Sequence, residues 1–307
     1  MRILVTGATG LIGRSLCASL SAQGHQVVAL SRSPETARGL AAVEVHKWEP
    51  QSGPPPLEAA RCVEAVVHLA GEPIVARRWS ENQKKRIKDS RVLTTRNLVE
   101  GLRAFNCAPA VLVSSSAVGF YGHRGDEQLG DDSPPGRGFM SEVCIEWEHE
   151  AARAADLGTR VVQVRTGVVL SNKGGALPKM LGPFKLGVGG PLGSGKQWFP
   201  WIHIQDIVGI FRHAILTSTL RGPLNGASPQ PVTNREFTRE LGRVLHRPAF
   251  LPVPEIALRV LMGEMSEVLF VSDRVLPKLA LSSGYHFQFS SLRPALEDLL
   301  GGAKSGG

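Results

Sequence analysis

Cysteine is scarce in this sequence, and its thiols are far apart. The chain has four cysteines among 307 residues, and none of them forms a C-x-x-C pair. Disulfide frameworks and zinc sites both need closely patterned cysteines. We therefore expect reduced thiols and no metal site. The four residues are Cys17, Cys62, Cys107 and Cys144.

Long apolar runs are also missing. No segment has the roughly 20 consecutive apolar residues that a membrane-spanning helix needs. The first predicted strand begins at Arg2, which leaves no room for a signal or transit peptide. These absences favour a cytoplasmic protein with no membrane partner.

The charge balance is basic, but the basic residues do not form a nucleic-acid footprint. The formal net charge is +8. The longest basic cluster, Lys84–Arg86, lies in a predicted helix near Glu81 and Asp89, and basic and aromatic residues do not alternate. We expect no nucleic-acid partner and interpret the excess charge as a solvated face near an anionic cofactor.

Two patterns stop short of a functional motif. Gly190–Gln197 resembles a Walker A loop, but Gln197 stands where a hydroxyl residue would bind Mg²⁺. His149–Arg153 lacks the second histidine of H-E-x-x-H. Neither ATP hydrolysis nor a metalloprotease zinc site is expected.

The sequence does contain a glycine-spaced turn at its start. Residues 2–6 read as a buried strand, and Gly7, Gly10 and Gly13 follow at the opening of an amphipathic helix. In dinucleotide-binding βαβ units these glycines allow a tight turn, a close approach of the pyrophosphate and close packing of the helix. We predict a dinucleotide cofactor here, with an ordinary turn as the alternative. The predicted contacts are Gly7, Thr9, Gly10, Leu11, Ile12 and Gly13.

The second strand ends without a carboxylate. Residues 26–30 are followed by Ser31 and Arg32, where an NAD-binding protein would carry an Asp or Glu for the ribose hydroxyls. The missing carboxylate removes repulsion toward a 2′-phosphate, and an arginine fork can bind that phosphate. The pattern favours NADP(H) with Ser31 and Arg32 as contacts. A solvated surface arginine is the alternative.

Strands and helices alternate over the first half of the chain. Apolar strands are predicted at 65–69, 110–114 and 160–165, with helices around 80–104 and 141–155. The alternation predicts an α/β fold with a Rossmann-type doubly wound parallel sheet that binds ligands at the carboxyl ends of its strands. Cofactor contacts are expected there at Leu69, Ala70, Gly71 and Thr166.

The composition changes near residue 171, where a Gly- and Pro-rich stretch begins. We predict an NADP-binding Rossmann domain over 1–170, to which a helix near 206–217 also belongs. Most of 171–300 is predicted to form a smaller substrate lobe. Residues 301–307 are predicted to be a disordered tail.

Four segments together resemble the extended short-chain dehydrogenase/reductases: Thr6–Gly13, His68–Gly71, Ser114–Val118 with Tyr121-Gly122, and Ile202–Asp206. Others are similar to an atypical epimerase-like subfamily, SDR39U1-like or YfcH-like, whose C-terminal domain of unknown function corresponds here to 248–298. These segments are Arg77–Trp79, Ser90-Arg91 with Thr94-Thr95, Glu146–Glu148, Gly187–Gly195 and Phe199–His203. The resemblance implies an NADP(H)-binding oxidoreductase or epimerase acting on a small carbonyl, alcohol or nucleotide-sugar-like substrate.

The chain lacks the Tyr-x-x-x-Lys pair that this family uses for proton transfer. Neither of its tyrosines, Tyr121 and Tyr285, has a lysine four residues later. If Glu148 aligns with the glutamate that commonly follows the lysine, Met140 and Cys144 occupy the tyrosine and lysine positions. Two functions therefore stay open: an enzyme with an atypical active site, and a non-catalytic NADP(H)-sensing or interaction protein.

Three residues are catalytic candidates. Ser116 stands where the family carries its catalytic serine, and capping of backbone groups is the alternative. Glu142, Glu146 and Glu148 lie at helical spacing, and we assign the general-base role to Glu142, with a solvated helix face as the alternative. Tyr121 could donate to a substrate oxygen, and a packed aromatic residue is the alternative.

Two further polar residues have predicted roles. The resemblance implies that Arg91 reaches the cofactor phosphates, and an exposed helix arginine is the alternative. Asp206 is expected to cap the helix that begins near it.

Overall fold

The structure, a computed structural model, describes residues 1–37, 39–40 and 43–301. Its strands are β1 Arg2–Thr6, β2 Gln26–Ser31, β3 Val43–Lys47, β4 Ala65–His68, β5 Val111–Ala117, β6 Gln128–Leu129, β7 Arg160–Thr166, β8 Val168–Leu170, β9 Trp198–Phe199, β10 Trp201–His203, β11 Gly222–Gly226, β12 Val232–Thr233 and β13 Arg274–Val275. Its helices are α1 Leu11–Ala22, α2 Leu57–Ala60, α3 Glu81–Asp89, α4 Val92–Ala104, α5 Phe139–Ala152, α6 Ala176–Lys185, α7 Ile204–Leu216, α8 Asn234–Leu245, α9 Glu255–Met262, α10 Glu267–Phe270, α11 Lys278–Ser282 and α12 Leu292–Gly301. Short 3₁₀ segments lie at Pro34–Ala37, Val118–Tyr121, Arg153–Leu157 and Gly263–Ser266.

Seven parallel strands form the central sheet in the order β11-β7-β5-β4-β1-β2-β3. From β1 the chain adds β2 and β3 on one side, and from β4 it adds strands on the other. Thr6 of β1 pairs with His68 of β4, so these two strand ends mark the point where the strand order reverses. Doubly wound sheets bind ligands at this switch point. The predicted fold class is confirmed.

Helices cover both faces of the sheet. On one face, α1 and α7 pack over strand residues such as Val5 and Val67. On the other, α4 and α5 cover residues such as Leu4, Val66 and Leu112. Because neighbouring strand residues point to opposite faces, burial on both sides requires the nearly continuous apolar strands that the sequence shows.

The helix predicted at 80–104 is in fact two helices, α3 and α4. They are separated at Ser90, whose hydroxyl donates to the Ile87 carbonyl at 2.9 Å and accepts from the Glu72 N–H at 2.9 Å. A side chain that bonds nearby backbone groups competes with helix continuation. The break places Arg91 at the start of α4, close to the end of β4.

The chain after β7 builds a smaller lobe. Its core joins α6, α8 and α12 around Leu170 and Trp201, and short ladders pair β8 with β10 and β9 with β12. Gly301, which was predicted to begin a disordered tail, is the last residue of α12, and 302–307 lie outside the described residues. Among the described helices, none is long and apolar enough to cross a membrane.

Candidate functional site

The glycine loop, residues 7–13, lies between the end of β1 and the start of α1. Gly7 has a φ of +64°, and a Cβ there would approach the Leu69 carbonyl carbon to 2.7 Å. A Cβ at Gly13 would overlap the Gly7 carbonyl oxygen. Glycine is therefore needed at both positions, because the loop packs directly against the end of β4 and against α1.

Gly10 differs from these two glycines. A Cβ at Gly10 would meet only the Gly7 carbonyl oxygen, at 3.2 Å, among the described atoms. Gly10 is the N-cap of α1, and α1 has neither a side-chain cap nor an acidic residue in its first turn. The N–H groups of Leu11, Ile12 and Gly13 therefore have no partner within the helix, and the positive end of its dipole lies beside open space. This arrangement suits an anion.

The end of β2 carries the predicted contacts for a 2′-phosphate. The Ser31 hydroxyl donates to the Ser33 carbonyl at 3.0 Å and accepts from the Ser33 N–H at 3.2 Å, which holds the turn. Arg32 is exposed and makes no hydrogen bond or ion pair in the part of the chain that the structure describes. Thr9 accepts at its carbonyl from Arg14 Nε at 3.0 Å.

A buried relay of polar side chains joins the two strands at the switch point. The Thr95 hydroxyl donates to the Arg91 carbonyl at 2.6 Å. Because its one proton is used there, the Thr95 oxygen accepts from His68 Nε2 at 2.9 Å. His68 Nδ1 then accepts from the Thr6 hydroxyl at 2.7 Å, and that hydroxyl accepts from the N–H groups of Leu69 and Ala70, each at 3.2 Å. Burial lowers the pKa of His68 to about 3, so the ring is neutral.

Arg91 is a buried cation beside this relay. Its guanidinium donates to the carbonyls of Ile87 and Glu72 at 3.1 and 3.0 Å and lies 5.3 Å from the centre of the Trp147 ring. A Cβ at Gly71 would lie 3.3 Å from its Cζ. Arg91 forms no ion pair within the described residues, and burial lowers its pKa. A buried charge without a counter-ion is costly, so an anion or further acceptors at this edge would stabilise it.

Ser116 belongs to a second group of buried polar side chains, the Arg165 network, made of Ser116, Tyr121, Glu148, Arg165 and Asn225. The Ser116 hydroxyl donates to Glu148 Oε1 at 2.6 Å. Arg165 binds both Glu148 oxygens, at 2.8 and 2.9 Å, and donates to the Tyr121 hydroxyl at 3.0 Å. The Tyr121 oxygen lies 2.7 Å from Asn225 Oδ1. Every functional group of the network has a partner inside the protein.

The structure therefore brings Glu148 to Ser116, and it does not bring Glu142 there. Glu142 lies on the exposed face of α5. Tyr121 is fully buried, and burial raises the pKa of its hydroxyl. Burial raises the pKa of Cys144 to about 12, so its thiol stays protonated.

The last predicted cofactor contact, Thr166, ends β7, and its hydroxyl donates to the Val164 carbonyl at 3.3 Å. The expected cap at Asp206 is wrong. His203 caps α7 by accepting from the Gln205 N–H, and Asp206 accepts instead from the N–H groups of the C-terminal segment at Gln288 and Phe289. Because this contact spans 82 residues, no local pattern could predict it.

Sequence reasoning missed Arg165 and His68 as central residues. Both stand inside or at the end of apolar strands, where a polar side chain needs a buried partner. That signal was present in the sequence. The identity of each partner was not, because Glu148 and Thr95 lie on helices distant in sequence from the residues that they contact.

Comparison with known proteins identifies the family to which the chain belongs. The model of the NAD dependent epimerase/dehydratase family matches residues 3–223. The chain belongs to this family. A domain of unknown function, DUF1731, matches residues 253–299, so the family member carries the C-terminal domain that the resemblance implies.

The similarity to other proteins extends over nearly the whole chain. A protein of Arabidopsis thaliana, described as an epimerase family protein SDR39U1 homolog, chloroplastic, is 39% identical over 98% of this chain and 87% of its own. The crystal structure of human epimerase family protein SDR39U1 with NADPH matches with a TM-score of 0.85 at 37% identity, over 97% of this chain and 99% of the other. A nucleoside-diphosphate sugar epimerase from Corynebacterium glutamicum matches with a TM-score of 0.78 at 33% identity, over 98% of this chain and 58% of its own.

Proposed function

We propose that this chain binds NADP(H) across the switch point between β1 and β4 and transfers hydride to or from a small carbonyl, alcohol or nucleotide-sugar-like substrate in the cytoplasm. The observation that carries the proposal is the uncapped N-terminus of α1 beside the open space at Gly10. The human relative crystallised with NADPH and the relative described as a nucleoside-diphosphate sugar epimerase support the cofactor and the substrate class.

The residues present fit such a dinucleotide from end to end. The N–H groups of the first turn of α1 would bind the pyrophosphate. Arg32, exposed and without a partner among the described residues, would bind the 2′-phosphate. Arg91 precedes α4 and lies beside Gly71 after the end of β4, and it would reach the cofactor phosphates.

A bound NADP(H) would supply or accept the hydride. Proton handling would then rest on Ser116 and water, because Tyr121 is fully buried and the Cys144 thiol stays protonated. The Ser116 hydroxyl would exchange its bond to Glu148 for one to the substrate. The carboxylate in contact with Ser116 is Glu148, while Glu142 is exposed. General acid–base catalysis typically contributes about 10²–10⁴-fold, and we expect a deficit of that size on ordinary family substrates.

A second candidate is a non-catalytic protein that senses NADP(H) or interacts with a partner according to its NADP(H) state. The observation in its favour is that the Arg165 network is satisfied internally, so no candidate acid or base in it is left free for a substrate. Cofactor binding alone does not separate the two candidates, because both bind NADP(H).

Turnover of bound NADPH over a panel of carbonyl compounds and nucleotide sugars separates them. For the enzyme, Ser116→Ala should lower turnover by about tenfold, since one hydroxyl contact to a developing charge is lost, and should leave the Kd for NADPH unchanged. Ser115→Ala is the matched control, because that hydroxyl lies on the opposite face of β5. Unresponsive substrates with intact NADPH binding would favour the non-catalytic candidate, and absence of NADPH binding would overturn both.

A further inference from the structure

A cavity lies at the opposite end of the sheet from the proposed cofactor site. It has a volume of about 610 Å³ and is formed by the turn between α2 and β4 and the turn between α4 and β5. Two of the four cysteines, Cys62 and Cys107, line it together with Arg61. No motif in the sequence pairs these two thiols, since 44 residues separate them.

The Cys107 sulfur lies against the turn that carries Cys62. Cys107 Sγ donates to the Ala60 carbonyl at 3.1 Å, and the same turn carries Cys62 two residues later. Burial and the charge of Cys62 both raise the pKa of Cys107, and the backbone at Val63 opposes that rise. The Cys107 sulfur therefore sits against the segment 60–63, in which Cys62 is an interior residue.

Cys62 is the more reactive of the two by position. Its side chain is exposed, while Cys107 is half-buried. Cys62 has a φ of +57°, a left-handed conformation that is uncommon for a residue with a side chain. A guanidinium lies near it, since Arg2 Nε donates to the Arg61 carbonyl at 3.2 Å and the charge of Cys62 contributes to raising the pKa of Arg2. The thiolate is the nucleophile in thiol–disulfide exchange, so an exposed thiol is the one that a small disulfide can reach.

We propose that Cys62 and Cys107 form a thiol pair that is oxidised by a low-molecular-weight disulfide bound in this cavity. The Cys62 thiolate attacks one sulfur of the small disulfide, forms a mixed disulfide and releases one small thiol. The Cys107 thiolate then attacks Cys62 Sγ, forms the protein disulfide and releases the second small thiol. Two protein thiols are oxidised, one small disulfide is reduced, and the two protons pass to the released thiols.

Oxidised glutathione is a suitable probe, because its carboxylates would meet Arg61 at the cavity edge. Wild-type protein, Cys62→Ser and Cys107→Ser are incubated with it and followed by intact-mass and peptide mass spectrometry. The wild type should end with an internal disulfide and no adduct. Cys107→Ser should stop at one glutathione adduct on Cys62, and Cys62→Ser should not react.

The chain contains its own controls. Cys17 and Cys144 are buried, and burial raises the pKa of each to about 12, so both should stay unmodified in the folded protein. Cys107→Ala is a second variant in case the serine perturbs the half-buried position, and thermal unfolding establishes that each variant is folded.

The rate of the second step supplies a further test. Because the pKa of Cys107 is raised, conversion of the mixed disulfide should accelerate by about tenfold for each pH unit as the thiolate fraction rises. Three results would each contradict the proposed thiol pair. These are a glutathione adduct that persists in the wild type, an adduct on Cys107 in the Cys62→Ser variant, and a disulfide that joins two chains.

Discussion

The glycine loop and the Arg165 network lie at the same end of the sheet, yet they treat polar groups in opposite ways. In the loop, the first N–H groups of α1 have no partner in the helix, and the space at Gly10 is open. In the network, Ser116, Glu148, Arg165 and Tyr121 bond to one another. The loop therefore has donors available for an anion, while the polar groups of the network are already satisfied within the protein.

The two regions differ in how their polar groups are satisfied. Buried polar groups must find partners, so a network that is satisfied internally becomes rigid and gives up its freedom to serve a substrate. A helix N-terminus at the surface has no such need, because water can solvate it until a ligand binds. If the two regions are independent, a substitution in one should leave the properties of the other unchanged.

The largest effect is expected from Arg165→Met, which removes the cation at the centre of the network. Glu148 would keep a buried carboxylate without its two-point partner, and breaking a buried ion pair costs about 3–5 kcal/mol. The free energy of unfolding, measured by chemical denaturation, should fall by that amount. NADPH affinity of the folded fraction should stay within about twofold, since sites without shared partners behave additively.

The matched control is Arg103→Met, which breaks the exposed pair with Asp156 and should change stability by less than about 1 kcal/mol. An equally small effect of Arg165→Met would mean that the network does not stabilise the fold, and the contrast with the loop would fail.

Gly10→Val tests the other side of the contrast. Its side chain would enter the open space at the N-terminus of α1, and its Cβ would already press on the Gly7 carbonyl oxygen at 3.2 Å. NADPH affinity, followed by fluorescence titration, should fall by about 100-fold or more, which corresponds to about 2.7 kcal/mol. Gly182→Ala in α6, where a Cβ would meet nothing within 4 Å of the described atoms, is the control. Unchanged NADPH affinity in a folded Gly10→Val protein would mean that the cofactor binds at another place.

The same contrast explains how much the sequence could predict. The first strand, the glycine spacing and the helix lie within residues 2–22, so the dinucleotide-binding pattern is local. The doubly wound sheet was predicted from the alternation of strands and helices further along the chain. The partner of Ser116 was not local. Glutamates at 142, 146 and 148 have similar helical spacing, and only the rotation of α5 about its axis decides which one meets β5. That rotation is set by packing across the whole helix, which no short window of sequence contains.

Arg32→Glu sharpens the comparison within the cofactor site. The wild type should bind NADPH more tightly than NADH, because an arginine without a partner among the described residues can take the 2′-phosphate. Losing a charge-assisted contact costs roughly 1.5–3 kcal/mol, or about tenfold or more in Kd, and the new carboxylate would reverse the preference. Equal Kd values for the two cofactors in the wild type would contradict the assignment. Arg61→Glu, at the opposite end of the sheet, is the control for net charge.

The smallest effect concerns His68, which links the strand beneath the glycine loop to α4. The ring is buried and neutral, and its pKa is lowered from 6.5 to about 3. Between these two values the unfolded chain binds a proton that the folded chain does not, so stability falls as the pH falls. From pH 6.5 to 5.5 this linkage should cost about 1 kcal/mol of unfolding free energy. His68→Asn should lose that part of the pH dependence. Chemical denaturation of both proteins at pH 6.5 and 5.5 should therefore show that the wild type's advantage in unfolding free energy is smaller by about 1 kcal/mol at the lower pH. Parallel changes in the two proteins would mean that His68 is not held neutral, and a protonated ring would have to donate to both Thr6 and Thr95.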